Sequence, residues 1–402
     1  MHFSQIVHNN AQILLLLAQQ LRDRESPPRQ ALLHDLSATT GLHRASLERL
    51  TDLWAQAWQP EAIDRLLSLD GDGLQSWQAV GTVGIVAPTN LPVATWQPIL
   101  QALLLGNRVR VRPGAGDALS AHNLLEVLRT TAPKLAQRVE ISAFDQADAA
   151  QWRLFFKDLD SLLIYGGDAA IAGVLEQAQS VGYTGPVRCH GHRQSLAILP
   201  VTALDGRFAE VAAGLAHDAL LADGRGCLSL RAVVVMGEVS PAVWQRCALQ
   251  LGAAVAQTAK RFPAGSIAPD WAAQTRLLQD SLAMQAALFP DRVVWQDFGD
   301  AWLAAEPRLP LAATTDLGSG ARGLMVWAAP DVAALQRNLA PLTGKIAACA
   351  VAHQTPQLLA MVKDLRVPRV CAPGELQAPP LDAPHDGYAA HEGLVRWQHR
   401  TD

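Results

Sequence analysis

The sequence has few cysteines, and none lies close enough to another to form a CxxC pair. The five cysteines are at positions 189, 227, 247, 349 and 371. An odd number without a cluster argues against a disulfide scaffold and against a zinc site made of thiolates. We therefore expect no metal centre, and each cysteine has to be judged as a single thiol.

A strong net charge and a membrane-spanning apolar segment are also missing. The formal net charge is −4, which gives no general electrostatic reason to bind nucleic acid. The apolar run Ile13–Ala18 is too short to cross a bilayer and is followed directly by Gln19 and Gln20. We expect a cytoplasmic protein with no membrane span and no nucleic-acid partner.

What the chain does contain is apolar residues, which make up half of its 402 positions and can fill the cores of two or three domains. Up to residue 79 the pattern is helical. Leucines and tryptophans recur there at spacings of three and four, at positions 47, 50, 53, 54 and 58. We interpret residues 1–79 as a helical preface without evident chemistry.

From Gly81 onward, short apolar segments alternate with helical ones. Val83–Ala87, Arg108–Arg112, Leu162–Tyr165 and Leu230–Met236 have the pattern of strands. Strands that alternate with helices predict right-handed crossovers and a mainly parallel sheet. The predicted fold class is α/β with two α/β domains, at residues 80–200 and 201–365, followed by a C-terminal segment at 366–402.

A candidate nucleotide-binding turn, Gly166-Gly167-Asp168, follows a predicted strand and begins a predicted helix. Glycines there would let backbone N–H groups and the helix terminus face a pyrophosphate. The alternative is an ordinary helix start with a capping aspartate. The GxGxxG fingerprint of Rossmann folds is missing after the first strand.

The stretch Leu221–Ser229 contains the most conspicuous thiol, Cys227, in a turn before a strand. Gly224 and Gly226 let backbone and ligand approach the sulfur, and Arg225 would favour a thiolate. This is how a nucleophile is displayed. The competing interpretation is that Cys227 is a small buried apolar residue.

Two histidines, His190 and His192, are candidates for a metal site. Their spacing of two and the lack of a nearby carboxylate in the sequence favour a role in a loop or in hydrogen bonding.

Four motifs follow one another along the chain: Gly84-Ile-Val-Ala-Pro-Thr-Asn90, Gly106-Asn107 with Val111-Arg-Pro113, Tyr165-Gly-Gly167, and Gly224-Arg-Gly-Cys227. In this order they resemble the aldehyde dehydrogenase superfamily. Five further segments make LuxC-type acyl-CoA reductases the most similar members: Thr40-Gly-Leu42, Asp223-x-x-x-Cys227-x-Ser229, Arg369-Val-Cys-Ala-Pro-Gly374, His385-Asp-Gly387 and Leu394-Val-Arg-Trp397.

The resemblance implies an acyl-CoA reductase in which Cys227 attacks the thioester and carries the acyl group until a nicotinamide hydride reduces it. Asn90 corresponds to the asparagine that donates to the oxyanion together with the backbone N–H of the cysteine. Without the resemblance, Asn90 would be a turn residue after Pro88. The domain at 80–200 is then a Rossmann-like cofactor domain, and the domain at 201–365 is catalytic.

The resemblance also implies the cofactor contacts, which are Thr89, Arg112, Gly166, Gly167 and Asp168. Relatives that prefer NAD have a Lys-Pro-Ser-Glu loop, whereas this chain has Arg112-Pro-Gly-Ala115. An arginine pairs well with a phosphate and no carboxylate opposes it, so we expect NADPH rather than NADH. The alternative places Arg112 on the solvent face of an alternating strand.

One departure concerns water. Hydrolytic members carry a glutamate in a Glu-Leu-Gly-Gly-Lys segment, and the corresponding stretch here, Cys189-His-Gly-His-Arg193, has no carboxylate. Losing that base removes about a hundredfold or more from water attack, which favours reduction of the thioester, although His190 remains a possible base.

A second departure is the Arg225-Gly226 pair, where many members have a Gly-Gln-x pattern. It leaves two alternatives, an acyl-phosphate reductase and a non-catalytic nucleotide-binding or scaffolding homologue. The resemblance also implies a homodimer or homotetramer.

Overall fold

The computed structural model describes residues 2–71, 73–114, 119–204, 206–307, 317 and 320–397. The chain forms two compact units. The first comprises Met1–Thr40, Glu48–His192 and Pro380–Asp402, and the second comprises Gly41–Leu47 and Arg193–Pro379. These units do not follow the four predicted segments, because the N-terminal helices group with the first sheet and the division falls after residue 192.

The first unit contains helices and short strands. Its elements up to residue 192 are α1 (Phe3–Arg22), α2 (Pro27–Thr40), α3 (Arg44–Ala57, whose first residues count with the second unit), α4 (Pro60–Leu67), α5 (Gly73–Ser76), β1 (Trp77–Ala79), β2 (Thr82–Val86), α6 (Pro92–Leu104), β3 (Arg108–Arg112), α7 (Ser120–Thr131), α8 (Pro133–Ala136), β4 (Val139–Ile141), α9 (Ala149–Phe156), β5 (Ser161–Tyr165), α10 (Asp168–Ser180) and β6 (Val187–His190).

A five-stranded sheet in the order β4-β3-β2-β5-β6 forms the centre of this unit. Every pairing in it is parallel, so the sheet predicted from the alternation of strands and helices is confirmed. The carboxyl ends of all five strands therefore lie at one edge. Strand β6 was not predicted; three of its four residues are half-buried and give no apolar run, because it is an edge strand.

The C-terminal segment returns to the first unit. Its strand β14 (Val395–Trp397) pairs antiparallel with β1. Asn107, which is fully buried, donates from Nδ2 to the Leu394 carbonyl at 2.9 Å. His391 stacks on Trp77 at 4.5 Å and lies 2.7 Å from Asp70. These contacts attach the C-terminal segment to the first unit.

The second unit is built on a larger sheet. Its elements are β7 (Gln194–Pro200), α11 (Phe208–Leu220), β8 (Leu230–Met236), α12 (Pro241–Arg261), α13 (Pro269–Leu288), β9 (Val294–Asp297), β10 (Trp302–Glu306), β11 (Gly323–Ala329), α14 (Val332–Leu339), β12 (Ile346–Val351), α15 (Pro356–Asp364) and β13 (Val370–Cys371).

These strands form a seven-stranded sheet in the order β13-β12-β7-β8-β11-β10-β9, in which β9 pairs antiparallel and the others pair parallel. Apolar side chains cover both faces, one packing mainly against α11 and α12 and the other mainly against α14 and α15. The side chains of Ser240, Asp331 and Thr355 cap helices α12, α14 and α15 by accepting N–H bonds. Helices on both faces explain why the central strands are apolar throughout.

We expect that any side chain at position 323 would clash with Trp302, its partner on the neighbouring strand. A Cβ atom there would lie 2.0 Å from the buried Trp302 ring. Gly323→Ala should therefore lower the free energy of unfolding by about 1–3 kcal/mol through overpacking, as measured by urea denaturation. In Gly206→Ala the new Cβ meets nothing within 4 Å, and equal midpoints for the two variants would contradict the prediction.

Candidate active site

Cys227 lies in a tight turn directly before β8, and hydrogen bonds fix the turn on both sides. The Ser229 N–H donates to the Gly226 carbonyl at 3.1 Å, and the Gly226 N–H donates to Ser229 Oγ at 3.1 Å. Gln377 Nε2 donates to the same Oγ at 3.0 Å, and Ser195 Oγ donates to the Cys227 carbonyl at 2.9 Å. The backbone that carries the thiol is therefore held in one position.

The five cysteines fall into a partly exposed group and a buried group. Cys227 and Cys189 are partly exposed, whereas the other three are buried. Burial raises the pKa of Cys247 to about 12 and that of Cys371 to about 11, and it also raises the pKa of Cys349. Desolvation raises the pKa of Cys189 as well. The competing interpretation required Cys227 to be a buried thiol of the core, and it is not one of them.

Arg225 makes contacts in the second unit that the sequence did not indicate. Its Nη2 atom donates to the Ser266 carbonyl at 2.6 Å and lies 3.4 Å from Asp223 Oδ2. Burial lowers the pKa of the guanidinium, and the charge of Asp223 partly offsets that effect. Its role beside a thiolate stays a prediction, but part of the side chain is engaged with Asp223 and Ser266.

In the first unit, Thr89 and Asn90 follow the carboxyl end of β2 and both are exposed. The loop after β3 approaches them closely. A Cβ atom on Gly114 would lie 2.1 Å from Thr89 Cγ2 and 3.1 Å from the Ala87 carbonyl oxygen. The glycine of the Arg112-Pro-Gly turn is thus required by close packing against the turn that presents Asn90.

The glycine turn after β5 has the geometry of an open helix terminus. Gly167 is the N-cap of α10, no side chain caps the helix, and Asp168 is the first helical residue rather than the cap. A Cβ atom on Gly167 would meet nothing within 4 Å, whereas one on Gly166 would meet Ala170 at 3.3 Å. The space before the helix terminus is therefore open to an anion.

Arg112, at the carboxyl end of β3, is buried, so its interpretation as a solvent-facing residue of an alternating strand was wrong. Its guanidinium lies 4.8 Å from the centre of the Trp152 ring and 5.0 Å from that of Phe144. Nη2 donates to the Phe144 carbonyl at 3.3 Å. Burial lowers the pKa of Arg112, and Asp145 partly offsets the shift. The alternation holds for Arg108 to Val111 and ends at residue 112.

His190 ends β6 and has a carboxylate beside it, which the sequence spacing did not reveal. Its Nδ1–H group donates to Asp386 Oδ2 at 3.2 Å, and its ring stacks on Tyr165 at 4.4 Å. Asp386 has a φ of 53°, in the turn that follows His385. The sequence around His190 contains no carboxylate, and the C-terminal segment supplies one.

Within the described residues, His190, His385 and Asp386 form the cluster with side chains of the kind that bind metal ions. The two imidazole rings stack 4.2 Å apart with 24° between their planes. Lone pairs in nearly parallel planes do not converge on one ion. As placed, the three side chains form a stacked and hydrogen-bonded group.

The parallel sheet brings most of the predicted residues of the first unit to one edge. Asn90, Arg112, Gly166 and His190 all lie at carboxyl ends of strands, and β2 and β5 are neighbours. Cys227 belongs to the second unit, where it precedes its strand. Ser195, Gln377, Asp386 and Arg322 were missed; the quoted motifs included Asp386 but gave it no role.

Solved structures of aldehyde dehydrogenases share this fold. An NAD-dependent benzaldehyde dehydrogenase from Corynebacterium glutamicum is 14% identical, with 98% of this chain and 84% of that chain covered and a TM-score of 0.69. The NADP-dependent glyceraldehyde-3-phosphate dehydrogenase from Bacillus halodurans C-125, complexed with NADP, is 15% identical, with 98% and 86% covered and a TM-score of 0.68.

A succinic semialdehyde dehydrogenase from Streptococcus pyogenes, in complex with NADP+ as the cofactor, is 15% identical, with 97% and 89% covered and a TM-score of 0.69. At these identities the similarity shows the fold. The protein therefore has the aldehyde dehydrogenase-like α/β fold, as predicted.

The sequence matches the acyl-CoA reductase (LuxC) family over residues 17–397. The chain therefore belongs to the LuxC acyl-CoA reductase family, whose members reduce an acyl-CoA thioester to an aldehyde, and the predicted family, enzyme class and reaction are confirmed. No curated protein matches the chain in sequence. Among the helices that the structure describes, none has the length and apolar character needed to cross a membrane.

We expect Cys227 to react first with a thiol reagent in the native protein. Three of the other thiols are buried, and burial raises the pKa of the fourth, Cys189, so less of it is thiolate. Brief treatment with iodoacetamide followed by peptide mass spectrometry should show Cys227 alkylated before the rest. In urea all five should react at similar rates. Native alkylation that begins at Cys247 would contradict this order.

Proposed function

We propose that the protein reduces acyl-CoA through an acyl thioester on Cys227. The observation that carries this proposal is the turn at residues 226–229, where hydrogen bonds fix the backbone and leave the thiol partly exposed. A nucleophilic thiol needs both properties, because the thiolate has to reach a substrate and keep its direction. The buried thiols at positions 247, 349 and 371 have neither access nor a thiolate at neutral pH.

The proposed reaction consumes only the acyl-CoA, one hydride and one proton. The Cys227 thiolate attacks the thioester carbonyl, the bond between carbon and the CoA sulfur breaks, and CoA leaves as a thiolate that takes up one proton. A nicotinamide cofactor, when bound, supplies the hydride. The acyl carbon is thereby reduced to a thiohemiacetal alkoxide on Cys227, which collapses to aldehyde and returns the sulfur as thiolate.

Each tetrahedral stage places negative charge on the former carbonyl oxygen. We assign Asn90 as one donor to that oxygen and the Cys227 N–H as the other, on the basis of the superfamily resemblance. Two features support the assignment of Asn90. Its side chain is exposed at the carboxyl edge of the first sheet, and the Thr89–Gly114 contact restricts the turn that carries it.

The acyl group has to be reduced before water removes it. The glutamate that activates water in hydrolytic members has no counterpart in Cys189-His-Gly-His-Arg193. The group that occupies this region is His190, whose Nδ1–H points at Asp386. We propose that the aldehyde is the main product and that hydrolysis to the acid is slow.

Cys227→Ala should abolish NADPH oxidation that depends on acyl-CoA, and it should abolish acyl transfer to the protein seen by intact mass spectrometry. Asn90→Ala should lower kcat by about 10²–10³, as expected for loss of one oxyanion donor. Cys247→Ala removes a buried thiol of α12 and should retain the parental rate.

The alternatives give different results in the same assay. Oxidation with an acyl phosphate but not with acyl-CoA would identify an acyl-phosphate reductase. Cofactor binding without turnover of either substrate would identify a non-catalytic homologue.

We propose that the cofactor is NADPH, held in the first unit, and that the enzyme is a homodimer or homotetramer. The described residues fit a dinucleotide, because Gly167 leaves the N-terminus of α10 open to a pyrophosphate. Arg112 lies at the end of a strand two positions from the Gly166 strand in the sheet. Its buried guanidinium is positively charged and no carboxylate bonds to it among the contacts of the described residues, which suits a phosphate.

Arg112→Gln should lower kcat/KM for NADPH about tenfold more than for NADH, because one charge-assisted contact with the extra phosphate is lost. Arg108→Gln removes an exposed charge of the same strand and should leave the ratio of the two cofactors unchanged. If Arg112→Gln weakens both cofactors equally and lowers the melting temperature, the residue serves packing against Phe144 and Trp152 only.

A further inference from the structure

Three successive residues upstream of Cys227 have left-handed backbone conformations. The φ angles are 57° at Ala222, 58° at Asp223 and 73° at Gly224. A Cβ atom makes this conformation unfavourable, because it approaches the carbonyl oxygen, so only the glycine adopts it readily. Two adjacent non-glycine residues persist in it only when their surroundings hold them there.

Asp223 is restrained by hydrogen bonds and ion pairs with the residues around it. Arg322 Nη1 donates to Asp223 Oδ1 at 3.0 Å, and both side chains are only 1% exposed. The Gly265 N–H donates to the carboxylate at 3.3 Å and 3.4 Å from its two oxygens, and Arg225 lies 3.4 Å away. The carboxylate therefore has three donors in the interior of the second unit.

Arg322 is itself fixed by the elements around it. Nε donates to the Asp300 carbonyl at 2.8 Å, and Nη2 donates to the Phe262 carbonyl at 2.8 Å and to Asp300 Oδ2 at 3.2 Å. Its own φ is 53°, and its N–H lies 3.4 Å from the Asp223 carbonyl oxygen. Arg322 thus joins the end of α12 and the start of β10 to the loop that leads to Cys227.

A second segment reinforces the same point. The Ser266 N–H donates to the Gly41 carbonyl at 2.6 Å, and a Cβ atom on Gly265 would lie 2.1 Å from that oxygen. Gly265 and Ser266, which bind Asp223 and Arg225, are therefore fixed by the turn at Gly41. Two segments quoted from the sequence, at residues 40–42 and 223–229, meet through these contacts.

We infer that Asp223 and Arg322 form a positioning clamp for the nucleophile. The clamp holds residues 222–224 in the left-handed conformation and thereby sets the direction of the Cys227 thiol and N–H. A buried ion pair is weak evidence for stability, since apolar residues would often serve as well. Its placement on a strained backbone, three to five residues before the thiol, indicates a role in geometry. The inference rests on the proposed function of Cys227.

The test separates positioning from folding. Asp223→Asn and Arg322→Lys should each lower kcat about 10–100-fold while KM for acyl-CoA changes less than about threefold, because a small displacement of a reacting group costs that much in rate. The rate of Cys227 acylation, followed by intact mass spectrometry without cofactor, should fall by the same factor. Alkylation of Cys227 by iodoacetamide, which needs little orientation, should change much less.

Two controls cover the case in which the variants fold poorly. Leu251→Ala truncates a buried side chain of α12 and should lower the melting temperature without changing kcat. Ala222→Gly, added to Arg322→Lys, should restore kcat several-fold, because glycine adopts the left-handed conformation without help.

The inference is overturned if both clamp variants keep the parental kcat, or if their kcat follows melting temperature as Leu251→Ala does. Activity that survives Cys227→Ala would instead overturn the proposed function, so the two failures are distinguishable.

Discussion

Parallel pairing of strands is the constraint on which both units depend. A parallel pair needs a crossover, so in the first unit a helix follows each of the strands β2 to β5, and the five strands of that sheet end at the same edge. In the first unit this edge collects Asn90, Gly166 and His190 from three strands that are far apart in sequence. The C-terminal segment then adds Asp386 to the same edge.

The same geometry does not place the nucleophile. Cys227 precedes β8, and its carbonyl is bonded to Ser195 near the start of β7, so the thiol lies at the amino-terminal edge of the second sheet. Its position depends on local hydrogen bonds to Ser229 and on long-range contacts through Gln377 and the Asp223–Arg322 clamp.

The central strands could be predicted from the sequence because burial on both faces makes them continuous apolar runs. Strand β8 is such a run and has the predicted bounds, and β3 was predicted with its correct bounds from its alternating pattern. Strands β6 and β10 were missed for different reasons: β6 is half-buried at a sheet edge, and β10 reads Trp-Leu-Ala-Ala-Glu, a composition that suits a helix as well. Arg112 was misplaced because its burial depends on rings from Phe144 and Trp152, which no local pattern shows.

Some residues of the candidate site could also be predicted from the sequence, and others could not. Cys227, Asn90 and the Gly166-Gly167 turn were recognisable because their chemistry is carried by short contiguous motifs. Their supporting residues were not, since Asp386 is 196 residues from His190, Arg322 is 99 from Asp223, and Gln377 is 148 from Ser229. Spacing rules do not extend over such separations, so these partners follow only from the packed fold.

The clamp also has an electrostatic consequence for the thiol. A carboxylate four residues before Cys227 would, if unpaired, repel a thiolate and the oxyanion that forms beside it. Arg322 and Arg225 both pair with Asp223, and the first is also paired with Asp300, so two acidic and two basic groups balance. Apolar residues at positions 223 and 322 would preserve that charge balance. Residues 222 and 223 could then leave the left-handed region, because no donor would hold them. The Asp223 carboxylate, with its three donors, both keeps the charge near the thiol balanced and restrains the backbone at residues 222–224. This explains why charged residues lie in the interior beside a reactive thiol.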